Sequence, residues 1–244
     1  MRISLLISLA LFGAPAALSA TRLCPGQEVA PLPDGRMLGH LPYEQVQPEQ
    51  LVRAPAGFAI GGECLLRREV VADLERLLAA ARAAGLGGAV RAVSCYRSVA
   101  RQGAVFCGQI GPRKRARDAA DRARSVGPPG YSEHATGYAL DFGTRPSPRC
   151  HDVSPCFAQT PAGRWLIAHA PDYGFELSFP AGNAQGVSYE PWHWRWVGGS
   201  LAVPGAAAAR TTFTRARASF PALPAVSDNP ARALSPTPGF NMLR

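Results

Sequence analysis

Lysine is almost missing from this 244-residue chain, since Lys114 is the single lysine among 26 basic residues. With alanine abundant as well, that bias reads as the base composition of a genome and not as chemistry. Long apolar runs are missing beyond residue 12, so no later stretch has the roughly 20 consecutive apolar residues that a membrane-spanning helix needs. Close cysteine pairs of the CxxC kind do not occur, which removes the usual cysteine zinc site. Internal repeats are absent too, which excludes a solenoid. The formal charge of +9 suggests a polyanion partner until its distribution is read. Residues 201–244 carry five arginines against Asp228, and with Arg2 set aside residues 21–200 keep only +4. Nucleic acid is therefore not expected as a partner, although a mild positive field would hold an exported protein near anionic envelope polymers.

What is present first reads as an export signal. Residues 1–20 carry one positive charge (Arg2), an apolar run from Ile3 to Phe12 and then small residues suited to cleavage. The run is short for a bilayer span, so a cleaved signal is expected, with a retained anchor as the alternative. Once the signal is gone, no stable membrane insertion is expected. Six cysteines (Cys24, Cys64, Cys95, Cys107, Cys150, Cys156) then remain in a chain bound for an oxidising compartment, the periplasm or cell envelope. Chain order favours local disulfides: Cys95 with Cys107, Cys150 with Cys156, and Cys24 with Cys64.

Residues 21–63, rich in Pro and Gly, read as an irregular arm, and residues 64–200 as the folded domain. Within Leu65 to Ala84, apolar Val70, Leu74, Leu77, Leu78 and Ala81 recur at helical spacing, and Gly85, Gly87 and Gly88 end the helix. Strands are expected at Ala89–Tyr96, Tyr138–Gly143, Phe175–Phe179 and Trp192–Val197, with helices at Ser98–Cys107 and Pro161–His169. The basic run Arg113–Arg124 reads as a solvated excursion. Mixed order without βαβ alternation gives an α+β class, one small antiparallel sheet flanked by helices. Residues 201–244, rich in Ala, Pro, Ser, Thr and Arg, read as a tail that is disordered or loosely draped.

Two segments carry chemistry. In Tyr131–Asp141 (YSEHATGYALD), His134 and Asp141 lie seven residues apart, with Gly137 permitting a sharp approach between them. In Tyr189–Val197 (YEPWHWRWV), Glu190 and His193 follow at three-residue spacing, but Pro191 and the aromatic run argue for a strand and against a helical HExxH device. A catalytic zinc takes three N or O ligands and leaves a place for water, and a spare carboxylate can accept that water's proton. His134, Asp141 and His193 as ligands with Glu190 as base meet that need, though spacing alone leaves the roles of the two carboxylates open. His40, His151 and His169 read as structural.

Ser132-x-His134-x-x-Gly137-x-Ala139-x-Asp141, then Glu190-Pro-Trp-His193-x-Arg195, resembles the two-part signature of VanY-type D-alanyl-D-alanine carboxypeptidases, within the zinc peptidases that include VanX dipeptidases and phage endolysin peptidases. Tyr96-Arg97-Ser98 with Gln102 resembles a third element, and the likeness spans about 65–199. The resemblance implies zinc on His134, Asp141 and His193, Glu190 as catalytic acid/base, and a site across the sheet face. It also implies Arg97 meeting the substrate's carboxylate end or developing negative charge, Ser132 near its terminal residue, and Gln102 and Trp192 on the pocket wall. The expected substrates are peptidoglycan stem peptides, cut by a monomer that releases terminal D-alanine. L,D-carboxypeptidase or crosslink endopeptidase action, or a non-catalytic wall-binding role, are the alternatives. Cys95 departs from the pattern where such enzymes often have glycine.

Overall fold

The computed structural model describes residues 19–147 and 149–228. The expected signal segment, except for Ser19 and Ala20, and the end of the expected tail, 229–244, lie outside the described residues. The arm opens with an antiparallel hairpin, β1 (Thr21–Cys24) and β2 (Gln27–Val29), and continues to β3 (Leu51–Arg53), which pairs antiparallel with β4 (Leu65–Arg67). Helix α1 (Arg68–Ala81) follows at once. The helix is shorter than its apolar pattern because Leu65–Arg67 hold a full three-residue register with β3, and Leu65 O also accepts from Tyr96 N. Its apolar stripe is buried as spaced, with Val70, Leu74, Leu77 and Ala81 all inside.

The remaining elements are β5 (Val90–Ser94), α2 (Val99–Cys107), α3 (Ala119–Ala123), β6 (Ala139–Thr144), α4 (Pro161–His169), β7 (Phe175–Leu177), β8 (His193–Trp196), α5 (Ala206–Thr212) and α6 (Thr214–Ser219). Ser98 caps α2 by accepting from Arg101 N, and Thr160 caps α4 by accepting from Gly163 N, with Pro161 at the first helical position. Strands β5, β6, β8 and β7 lie side by side in that order, every pair antiparallel, so the α+β class and the small antiparallel sheet hold. All six residues of β6 and all four of β8 are buried, as a sheet covered on both faces requires. In β8, Trp194 and Trp196 enter the core and satisfy their indole N–H groups on Pro191 O and Asp73 Oδ2.

Two expectations are corrected. The disulfides are Cys24–Cys107, Cys64–Cys95 and Cys150–Cys156, so only the last of the three local pairings stands. Sequence proximity misled because the β3–β4 hairpin brings Cys64 to the end of β5, and β1 lies against α2. The second correction concerns the expected tail, whose residues 206–219 form α5 and α6. Ala206, Ala209, Phe213 and Ala216 are buried there, and Phe213 packs edge-on against Tyr43 and Tyr138. Beyond α6 the chain runs alongside β7, where Leu177 N donates to Pro224 O and Leu223 N to Leu177 O. Small residues at helical intervals around one phenylalanine make a seam that bulk composition conceals.

Candidate metal and substrate site

Asp141 and His193 are direct partners in the β6–β8 register, so their side chains project from the same face of the sheet. His134 arrives from a 3₁₀ turn, Glu133–Thr136, that ends at Gly137 in the left-handed region, φ 74°. A Cβ at Gly137 would meet Leu51 Cδ2 at 3.0 Å and Arg67 Cγ at 3.1 Å, so glycine lets the chain turn sharply from His134 into β6. One ligand atom from each of His134, Asp141 and His193 falls within 4.8 Å of the others, and all three residues are buried.

The hydrogen bonds fix which atoms face inward. His134 Nδ1 bonds Cys95 O at 2.7 Å, leaving Nε2 3.2 Å from Asp141 Oδ2. His193 Nε2 bonds Glu133 Oε2 at 2.9 Å, leaving Nδ1 2.9 Å from Asp141 Oδ1. Each imidazole thus has its outer nitrogen engaged and its inner nitrogen aimed at the shared carboxylate, the arrangement in which second partners orient metal-binding histidines. Two imidazole nitrogens and a carboxylate are a donor set that fits zinc. Burial, followed by the nearby Arg97 charge, lowers His134 to about 4. Burial would also lower His193, but Asp141 and Glu133 on its two nitrogens outweigh that and raise it to about 10. Asp141 is held far below the usual carboxylate range because His134 and His193 overcome the cost of its burial.

Glu190 lines the same cavity, of about 460 Å³, as His134, Asp141 and His193, together with Arg97, Ser132 and Trp192. It is held in place through its backbone, with N donating to Phe179 O and O accepting from His193 N. Burial pushes its carboxyl up to about 8, with His193 pulling it down and Asp141 pushing it further up. Arg97 donates from Nε to Gln102 Oε1 and from an Nη to Ser94 Oγ, both at 2.9 Å, and that Nη stands 3.7 Å from Asp141 Oδ2. Ser132 is buried at the wall, and its hydroxyl does not cap the following turn. Trp192 both lines the cavity and belongs to the core.

Gln102 departs from its expected place. It is fully buried behind Arg97, where its amide also donates to Gly127 O at 2.6 Å, and it does not line the cavity. His40 lines the cavity and bonds Ala123 O at 2.7 Å, while His151 and His169 are exposed. The basic run is not wholly solvated, since Arg115, Arg122 and Arg124 line the cavity and Arg122 is buried.

Glu133 was given no role by its spacing, although it stands between Ser132 and His134. Its carboxylate accepts from Ser178 Oγ at 2.6 Å and Tyr43 at 3.2 Å as well as bonding His193, and it pairs with Arg195 at 2.9 Å. Burial alone would raise its pKa, but Arg195 and His193 outweigh that and hold it far below the ordinary value. Arg195 in turn pairs with Glu176, and Glu176 with Arg217 of α6. The available signal was an arginine on an otherwise tryptophan-rich, buried strand, since a charge so placed requires a partner.

The family described as VanY, D-alanyl-D-alanine carboxypeptidase, matches residues 63–199. YodJ of Bacillus subtilis (strain 168), provisionally named a carboxypeptidase, is 34% identical over 139 residues, 54% of this chain and 46% of YodJ. The chain therefore spans just under half the length of that relative. The bifunctional D-Ala-D-Ala dipeptidase and D-Ala-D-Ala carboxypeptidase VanXYC of Enterococcus gallinarum is 32% identical over 154 residues, 62% of this chain and 76% of that protein. Among solved structures, the LdcB LD-carboxypeptidase superposes with a TM-score of 0.56 at 25% identity, covering 82% of this chain and 93% of LdcB. The D,D-dipeptidase VanXYg, solved with a D-Ala-D-Ala phosphinate analog, gives 0.52 at 26% identity over 71% of this chain and 66% of its own.

Proposed function

The chain belongs to the VanY family of D-alanyl-D-alanine carboxypeptidases, and from that premise we propose that it is a zinc peptidase that removes the terminal D-alanine from peptidoglycan stem peptides. The observation that carries the proposal is the convergence of His134, Asp141 and His193 within 4.8 Å beside a buried Glu190. Zinc would be held by His134 Nε2, the Asp141 carboxylate and His193 Nδ1, over the face on which β6 and β8 present Asp141 and His193. Zinc bound there supplies a Lewis acid that polarises the scissile carbonyl.

The chain's own residues do the rest. Glu190 takes the proton of the attacking water and returns it to the leaving amine, a role suited to a buried carboxylate of raised proton affinity. Arg97, kept in place by Ser94 and Gln102, meets the terminal carboxylate with permanent charge and planar donors. Ser132 supplies a buried hydroxyl at the same wall. Trp192 closes the cavity against the core.

The test is incubation of the purified protein with muropeptides, with and without a chelator. Loss of one alanine that the chelator abolishes and zinc restores is expected; no product under any condition overturns the reading in favour of a wall-binding protein. Glu190→Gln should bind zinc yet lose about 10²–10⁴ in kcat, and full turnover by that variant would refute its assigned role. A second reading, L,D-carboxypeptidase action, is favoured by the likeness to LdcB over most of both chains. Tetrapeptide and pentapeptide substrates separate the two. The same reading has the protein exported to the periplasm or cell envelope, which three disulfides support, because such bonds persist in oxidising compartments.

A further inference from the structure

Arg122 and Arg195 are both buried arginines, but their surroundings are opposite. Arg195 is clamped between Glu133 and Glu176. Arg122, on α3, is 8% exposed and donates from one Nη to Val105 O at 3.1 Å, while its Nε has no partner. Among the described residues no carboxylate pairs with it, and the bond to Val105 O is the one hydrogen bond of its side chain there. Burial first, and then the neighbouring charges of Arg115 and Arg97, lower its hold on the proton, against a weaker pull from Glu190. A buried guanidinium without a counter-charge is costly unless something completes it, and this one lines the cavity that holds Glu190 and the metal ligands.

We propose that Arg122 receives a second carboxylate of the substrate, carried on the N-terminal side of the bond that is cut. The proposal rests on the carboxypeptidase reading, and it specifies the substrate class: peptides with a free acid upstream as well as at the C-terminus. The terminal residue has a single carboxylate, and that one is assigned to Arg97. The rest of the substrate extends upstream, where an acidic side chain would give Arg122 the counter-charge it lacks among the described residues. A planar, bidentate donor suits a carboxylate, and a cavity of about 460 Å³ has room for more than a terminal alanine. Position is secured from behind, because His40 holds Ala123 O and the side chains of Ala119 and Ala123 pack with Phe106.

The test uses two peptides ending in D-Ala-D-Ala that are identical except for one upstream side chain, a free carboxylate in one and its carboxamide in the other. The zinc-loaded full chain should favour the acid in kcat/KM by about tenfold or more, the range of a charge-assisted hydrogen bond. Arg122→Gln should bring the ratio close to one, and Arg122→Lys, which keeps the charge, should keep part of it. Arg122→Lys also guards against failure of Arg122→Gln to fold, and the wild-type ratio stands by itself. Equal kcat/KM for both peptides in the wild type, or an undiminished preference in folded Arg122→Gln, overturns the proposal while leaving the carboxypeptidase reading intact. Failure to cut either peptide removes that reading and the proposal with it.

Discussion

Glu133 and Glu190 are both buried acids beside one histidine, and their surroundings send them in opposite directions. Glu133 has Arg195, Ser178 and Tyr43 around it and stays ionised, fixing His193 through Nε2. Glu133→Gln should therefore weaken zinc binding about 10- to 100-fold, the usual cost of losing a partner that orients a ligand. Competition with a chromogenic chelator measures this, and unchanged affinity would mean that Glu133 is only packing. Glu190 has His193 and Arg97 set against its burial, but burial outweighs them and it rises from 4.5 to about 8. Between those values the folded, metal-stripped protein holds a proton that the unfolded chain releases, so ionisation opposes folding and stability falls as pH rises. Glu190→Gln cannot ionise. In chelator its stability relative to wild type should increase from pH 5 to pH 8, read from denaturant midpoints, and parallel pH profiles would contradict the shift.

At the scale of elements, strand identity was legible while disulfide pairing was not. β5, β6, β7 and β8 fall where alternating or continuous apolar residues put them, because period and burial are local properties. The Cys64–Cys95 bond depends on the β3–β4 hairpin, whose packing beside β5 no local pattern encodes. This bond adjoins the site, since Cys95 O accepts from His134 and Arg97 lies two residues further on. Replacing both cysteines with serine opens a loop with a sequence separation of 31 residues, which the chain-entropy relation puts at about 3–4 kcal/mol. Denaturation should register that loss and kcat/KM should fall with it; unaltered stability and turnover would show the bond to be dispensable.

The whole molecule joins its C-terminal helices to the site through one run of charges, from Glu133 to Arg195, Glu176 and Arg217, with Arg217 and Arg210 both reaching Asp228. Phe213 anchors those helices over Tyr43 and Tyr138, so Phe213→Ala should cost about 3–5 kcal/mol. For a chain of this size that is about 6–20 °C in Tm. A Tm within two degrees of wild type would mean that the helices only drape over the fold. The α+β class and the candidates His134, Asp141, His193, Glu190 and Arg97 were legible in the chain's pattern alone, because apolar period and motif spacing are local properties and the family resemblance added the roles. Folding was needed to reveal the disulfide partners, the clamp on His193, the place of Gln102 behind Arg97, the docking of α5 and α6, and the lack of a carboxylate beside Arg122 among the described residues. Each of these depends on which distant segments share the interior, and burial there makes every charge either find a partner or wait for one.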